Sequence, residues 1–236
     1  MPRKRKTTKT SHPRRRPEAE ARGTEVRIIG GEFRGRRLRY HGDPGVRPMK
    51  HRTREAIFNL VSTECTGRHA IDLFAGTGAL GLEALSRGAA SATLIEKHVP
   101  TARVVAENIS TLGVEDRATL LVTSAFLWAK RDLANVGRTI LSVDAGSDPT
   151  DRIVRPTTDT PWLVFCSPPY AFYHERQAEV LELIGRIQRH APPGSILIVE
   201  ADETFDFNQL ASAGTMTGHC DVRSYSPAVV GIWRAK

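Results

Sequence analysis

HAIDLFAGTGALGLEAL, residues 69–85, is the stretch from which the rest of the chain can be read. Ile71, Leu73 and Phe74 make a short apolar strand, and Gly76, Gly78 and Gly81 follow at once. Ala79 to Ser86 is a good helix former, with Leu80, Ala84 and Leu85 suited to one buried face. Strand, glycine turn and helix in that order let backbone approach a ligand closely. The same spacing satisfies the dinucleotide pattern G-x-G-x-x-G, and a tight turn without any ligand uses the same residues. The loop alone does not name its occupant.

Downstream, strands and helices alternate. SATLIE (91–96) reads as a second strand ending at Glu96, TARVVAENISTL (101–112) as a helix, and ATLLVT (118–123) as a third strand ending at Ser124-Ala125. A short helix through Trp128 follows. WLVFCS (162–167) is a buried-type strand that ends in Pro168-Pro169-Tyr170. Arg176 to His190 is a helix, SILIVEA (195–201) a strand, and Phe207 to Ala213 a short helix. Residues 216–226 and 228–235 form an antiparallel pair. This alternation predicts a mostly parallel sheet covered on both faces and closed by a terminal hairpin.

Three strand ends therefore meet at the carboxyl edge, where open α/β sheets bind ligands. Glu96, after the second strand, suits the two hydroxyls of a ribose, whether in a dinucleotide or in an adenosylmethionine. Asp72, just before the glycine loop, would repel a pyrophosphate and suits a cofactor carrying an amino group and a sulfonium. That shifts the expected cofactor from NAD to S-adenosylmethionine. Two prolines after a buried strand fix an extended backbone and remove two donors. Carbonyls there can accept from an exocyclic amine, and Tyr170, with Phe172 or Tyr173 nearby, can stack on a flipped base. Orienting a planar amine toward a methyl donor is positional catalysis that needs no strong base.

The 236 residues allow one large α/β domain with appendages. Cys65, Cys166 and Cys220 lack paired spacing, which argues against a disulfide framework or a zinc site and for a reducing cytoplasm. No apolar run approaches the ~20 residues that span a bilayer. The net charge of +8 is unevenly placed. Residues 1–22 carry nine Lys/Arg against two Glu and residues 23–60 nine against four acids, leaving the remainder at −4. A basic front end on a mildly acidic body is the asymmetry of a segment that contacts phosphates.

Residues 1–23 have almost no apolar side chains and read as a disordered basic tail, either a phosphate-binding arm or a solvated end. VRIIGGEFRGRRLRY (26–40) suggests a small hairpin. There, Arg34, Arg36, Arg37 and Arg39 beside Phe33 and Tyr40 give the mix of charge and flat surface that RNA binders use, or else a charged edge hairpin. GDPGVRPMKHRTREAIFNLV (42–61) becomes helical near His51, with Ala56, Ile57, Leu60 and Val61 as its apolar face. Arg47, Arg52 and Arg54 around its start can hold phosphates or a cofactor carboxylate, and equally Arg52 or Arg54 can pair with Glu55 or Asp72. Residues 134–161, rich in Pro, Asp, Thr and Gly, form an insert of unusual length for a compact domain.

Taken together, RIIGGEFRGRRL (27–38), GVRPMKHRTREAIFNL (45–60), DLFAGTGALGLEALSRGA (72–89), ATLIEK (92–97) and the Pro-Pro-Tyr segment resemble the RsmD-type guanine-N2 methyltransferases of small-subunit ribosomal RNA. The resemblance covers residues 26–128 and 162–200. It implies a Rossmann-like, class I methyltransferase fold with a seven-stranded, mostly parallel sheet, a C-terminal antiparallel hairpin and an N-terminal hairpin extension. It implies that Asp72 and the loop Ala75, Gly76, Thr77, Gly78 and Ala79 contact the methionine part of S-adenosylmethionine. Glu96 would take the ribose, Ser124 and Ala125 would lie by the adenine, and Phe74 and Lys97 would flank the same pocket. Ser167, Pro168, Pro169 and Tyr170 would hold the target amine.

The hairpin and helix of residues 24–62, with Arg34, Arg36, Arg37, Arg47, Arg52 and Arg54, would hold small-subunit rRNA or an assembling subunit. Residues 63–236 would form the methyltransferase domain. One departure stands out: the family carries Asp or Asn where this chain has Ser167, whose hydroxyl is a shorter and weaker acceptor. Alternatives are an RNA-binding protein on a methyltransferase scaffold, a different nucleic-acid amine as target, and, on the bare glycine spacing, an NAD-dependent oxidoreductase.

Overall fold

The computed structural model describes residues 26–40, 49–133, 160–211 and 220–235. The tail, Arg47 and residues 134–159 of the insert lie outside the described residues.

Seven strands form the main sheet: β3 (His69–Asp72), β4 (Ser91–Ile95), β5 (Ala118–Leu121), β6 (Trp162–Cys166), β7 (Ile196–Asp202), β8 (Asp221–Tyr225) and β9 (Ala228–Arg234). Their spatial order is β5-β4-β3-β6-β7-β9-β8. Pairing is parallel from β5 across to β7, and antiparallel for β7 with β9 and β9 with β8. The chain winds outward from β3 to β5, then returns to place β6 on the other side of β3. That reversal opens a crevice at the carboxyl ends of β3 and β6.

Alternation along the strands divides the core into two layers. Leu163, Phe165, Ile196 and Ile198 face α1 (His51–Val61), α2 (Ala79–Ser86) and α3 (Val99–Leu112). Trp162, Val164, Cys166, Leu197 and Val199 face α4 (Ala125–Arg131), α6 (Gln177–His190) and α7 (Asn208–Ala211). The central strands β3, β4, β6 and β7 are buried on both faces, which is why they read as near-continuous apolar runs, whereas the edge strand β8 is largely exposed. A one-turn helix not foreseen from the sequence, α5 (Phe172–Glu175), follows the Pro-Pro-Tyr segment. Among the described residues, no helix is long and apolar enough to cross a membrane.

The N-terminal hairpin is shorter and better anchored than its sequence suggests. β1 (Val26–Arg27) and β2 (Arg37–Leu38) pair antiparallel over two residues each. The segment between them lies on α2, the helix that leaves the glycine loop. The Glu83 carboxylate accepts the Ile29 and Gly30 amides at 2.7 and 2.8 Å. Ser86 Oγ accepts the Phe33 amide at 2.9 Å, and Ser86 O accepts the Glu32 amide at 2.7 Å. Gly31 is irreplaceable in this contact: its φ is 76°, and a Cβ there would lie 1.8 Å from Ser86 O.

This docking changes three expectations. All eight residues of α2 are buried, not one face, because the hairpin covers the outer side. Phe33 is 6% exposed and belongs to the core, so it offers no flat surface to a base. Arg36 and Arg117 instead stand 6.0 and 5.9 Å from its ring centroid. In α1 the buried set is Thr53, Arg54, Ile57, Phe58 and Val61, while Ala56 and Leu60 are only partly covered.

Candidate active site

β3 delivers Asp72 to the base of the loop, fully buried among apolar strands. One carboxylate oxygen accepts the Gly81 amide at 3.1 Å, and the Phe74 amide also donates to the group. Burial pushes the Asp72 pKa up to about 7, against the pull of those two amides. The carboxylate therefore ties strand, loop and helix start together from beneath. Gly78, with φ of 79°, is the N-cap of α2 and a position that side-chain-bearing residues rarely adopt. A Cβ on Gly81 would press on Leu94 at 3.1 Å, so the third glycine serves helix-to-strand packing.

Glu96 extends from the end of β4 and is partly exposed. Its oxygens accept the Gly76 amide at 3.0 Å and the His98 amide at 2.8 Å. The glycine loop is thus held from below by Asp72 and from the side by Glu96. Thr77 is buried, and its carbonyl accepts from Asn108 of α3 at 2.9 Å. Ala75 and Ala79 are buried in the loop wall, and Lys97 is exposed.

Three aromatic rings close the far side of this crevice, a feature no sequence reading singled out. Phe74 lies 5.8 Å from Phe126 and 6.3 Å from Phe172, and Phe126 and Phe172 are 6.1 Å apart, centroid to centroid. They come from the end of β3, the start of α4 next to Ser124 and Ala125, and α5. The Arg176 guanidinium covers Phe126 at 4.3 Å and Phe172 at 4.9 Å, and Lys97 approaches Phe172 at 5.4 Å.

β6 delivers Ser167, Pro168, Pro169 and Tyr170 beside β3, where Ile71 is in register with Val164 and Asp72 with Phe165. Ser167 and Tyr170 are partly exposed, Pro169 is exposed and Pro168 buried. The Pro169 carbonyl accepts the Phe172 amide at 2.9 Å, which starts α5. Both hydroxyls of this segment turn to Glu200 of β7. Ser167 Oγ donates to Glu200 Oε2, and Tyr170 Oη donates to Oε1 at 2.8 Å. Tyr173 Oη donates to the Glu200 carbonyl at 2.7 Å. Burial raises the Glu200 pKa while its two donors lower it, and desolvation with the adjacent carboxylate raises that of Tyr170. Glu200 was missed because SILIVEA reads only as a strand; a carboxylate near the end of an apolar run was the available signal.

The basic front end divides. Arg34, Arg36, Arg37, Arg39 and Arg52 are exposed. Arg36 donates to the Thr111 carbonyl and Arg39 pairs with Glu107 at 3.1 Å, which fastens the hairpin to α3. Arg54 is a correction. It is 2% exposed, donates to the Arg27 carbonyl at 2.6 Å and faces the buried Glu83. It cannot reach a phosphate from there, and it supports the hairpin from below. It pairs with neither Glu55 nor Asp72.

A parallel sheet with this order, closed by an antiparallel hairpin and carrying a glycine loop at the reversal, is the Rossmann-like fold of class I methyltransferases. The solved structure of yhhF from Escherichia coli superposes with a TM-score of 0.64 at 26% identity, covering 90% of this chain and 98% of its own. A SAM-dependent methyltransferase from Agrobacterium tumefaciens shares the fold at a TM-score of 0.55 and 16% identity, covering 81% of this chain and 64% of its own.

Residues 26–144 match the family described as Conserved hypothetical protein 95, and the chain belongs to it. This is the RsmD family that its motifs resemble. Ribosomal RNA small subunit methyltransferase D of Escherichia coli strain K12 is 48% identical over 88 residues, 37% of this chain and 44% of that protein. The protein of the same name from Haemophilus influenzae is 41% identical over 88 residues, 37% and 46% respectively. The aligned stretches span about half the length of these curated relatives.

Proposed function

We propose that this chain is an S-adenosylmethionine-dependent methyltransferase that modifies the exocyclic N2 amine of a guanine in small-subunit rRNA. The observation that carries the reading is the juxtaposition of three strand ends. Glu96 leaves β4, the glycine loop β3 and the Ser-Pro-Pro-Tyr segment β6, three neighbouring parallel strands that end on the same edge of the sheet. The residues present suit the cofactor. Glu96 offers a carboxylate for ribose hydroxyls, the Phe74, Phe126 and Phe172 rings offer an apolar wall for adenine, and Asp72 puts negative charge near a cationic methionine end. When bound, the cofactor supplies an electrophilic methyl on sulfonium.

The protein's own contribution is positional. Ser167 Oγ and the Pro168 carbonyl accept from the target amine and aim its lone pair, while Tyr170 stacks on the extruded base. Arg34, Arg36, Arg37 and Arg52, which are exposed, hold the RNA backbone, and the cationic Arg47 of the same basic segment adds to them. Residues 63–236 form the catalytic domain, and the protein works in the cytoplasm on rRNA or an assembling subunit.

Calorimetry with S-adenosylmethionine and S-adenosylhomocysteine tests the cofactor, and nucleoside mass spectrometry of treated rRNA tests the product. Absence of both binding and N2-methylguanosine would overturn the reading. Tyr170→Ala should cut turnover on the order of 10²-fold by losing base orientation while leaving cofactor affinity unchanged; equal turnover would remove Tyr170 from the site. The second reading, an RNA binder without turnover, is favoured by one observation: the Ser167 hydroxyl is already engaged by Glu200. Such a protein would show steeply salt-dependent RNA affinity and no methyl incorporation.

A further inference from the structure

The engaged hydroxyl of Ser167 can be read differently. A free Ser hydroxyl is both donor and acceptor, and it rotates. With its proton directed at Glu200 Oε2, the lone pairs of Ser167 Oγ are what remains for a ligand on the other side. Glu200 also takes the Tyr170 hydroxyl at 2.8 Å and, through its carbonyl, the Tyr173 hydroxyl at 2.7 Å. One residue of β7, only 7% exposed, thus orients three hydroxyls of the segment that follows β6.

Taking the methyltransferase reading above as premise, we propose that Glu200 is a positioning residue that commits Ser167 to accept a hydrogen bond from the substrate amine and fixes the Tyr170 ring beside it. A carboxylate one strand away thereby supplies the acceptor polarity that an Asp or Asn at position 167 would carry by itself. A hydrogen bond from a hydroxyl to a carboxylate is charge-assisted and stronger than a neutral one, and it makes the hydroxyl oxygen a better acceptor in turn. Protonation of Glu200 reverses the polarity, because the carboxylic acid then competes as a donor to Ser167. The ionised form is the competent one, so turnover falls as pH is lowered through the raised Glu200 pKa. The titratable groups around it are Tyr170 and Tyr173 from the following segment, Cys166 at the end of β6, and Asp202 on its own strand, which is 3.7 Å from His174.

The experiment has two readouts. Methyl transfer from S-adenosylmethionine to small ribosomal subunits lacking the modification, and to their naked rRNA, is followed against pH. The variants are Glu200→Gln, Ser167→Ala, His174→Gln and the double change Glu200→Gln with Ser167→Asp. The expectation for Glu200→Gln is a kcat lower on the order of 10²-fold with little change in KM, loss of the acid limb, and wild-type cofactor affinity. Ser167→Ala loses the same limb, His174→Gln keeps it, and the double variant regains at least about tenfold because Asp restores an acceptor directly.

Isotope-edited infrared spectroscopy of the protein without cofactor follows the Glu200 carboxylate, whose band shifts in Ser167→Ala and in Tyr170→Phe. If Glu200→Gln does not fold, Ser167→Ala and the infrared bands decide. The proposal is overturned if Glu200→Gln or Ser167→Ala keeps wild-type kcat and acid limb, if the limb disappears with His174, if the double variant gains nothing, or if the Glu200 band ignores both hydroxyls. Failure of the wild type to methylate either substrate overturns the methyltransferase reading instead, and the infrared bands then still show whether Glu200 holds the two hydroxyls.

Discussion

The two halves of the crevice each place a buried carboxylate near a strand end, and they use it in opposite ways. Asp72 serves backbone: its partners are the amides of Phe74 and Gly81, two and nine residues away. Glu200 serves side chains: its carboxylate partners are hydroxyls at Ser167 and Tyr170, 33 and 30 residues away. The first half is a loop whose shape is fixed by local glycine geometry and nearby amides. The second is assembled only when β6 and β7 pair. A local device tolerates no change in its glycines; a long-range one can exchange its side chains if the partner changes too.

The sharpest way to break the first half is Gly76→Arg, which puts a long cation into the loop whose amide Glu96 holds. Cofactor affinity should fall by at least about 10²-fold, with the second half untouched. Undiminished binding in calorimetry would mean the loop is not the donor site.

The hairpin bolted to α2 links the basic N-terminal segment to that same loop. Glu83→Ala removes the acceptor of two amides and leaves Arg54 and Arg87 without their carboxylate. Breaking such a buried pair should cost about 3–5 kcal/mol of stability, read as a lower denaturation midpoint. A change below about 1 kcal/mol would make the hairpin an independent appendage.

The carboxylates also differ in what pH does to binding. Asp72 is neutral below about 7 and charged above it. A cationic ligand favours the charged form, so cofactor affinity is lost as pH falls through 7, by up to about tenfold per unit. Asp72→Asn should flatten that dependence in calorimetry between pH 6 and 8. Glu200→Gln should leave it in place, because Glu200 is bonded to Ser167 and Tyr170 in the other half of the crevice.

The smallest effect belongs to the exposed arginines. Arg34→Ala and Arg52→Ala should each reduce the salt slope of RNA affinity by about 1 without altering cofactor affinity. Arg54→Ala should act on stability instead, since its guanidinium lies under the hairpin.

Most strands and helices were legible because their cause is local. Period-2 and period-3.6 patterns are imposed by backbone geometry, and Gly76, Gly78, Glu96 and Pro168-Pro169 stand where elements end. Boundaries moved by a residue or two: β4 ends at Ile95, not Glu96, and α3 begins at Val99, not Thr101. Phe33, Arg54 and Glu200 were misread or missed for one reason. Each looks like a solvated or ordinary residue in sequence, and its role depends on what another element brings to it.

The sequence by itself determined the alternation of elements, the glycine loop and the carboxylate after the second strand, since dihedral freedom and hydrophobic period are properties of short stretches. Tertiary structure alone decided that α2 is covered on all sides, that Arg54 is buried beneath a hairpin, and that the serine before Pro-Pro-Tyr is oriented by a glutamate one strand away. Those depend on which distant atoms meet in a low-dielectric interior, where an unpaired polar group is costly and finds its partner wherever the fold supplies one.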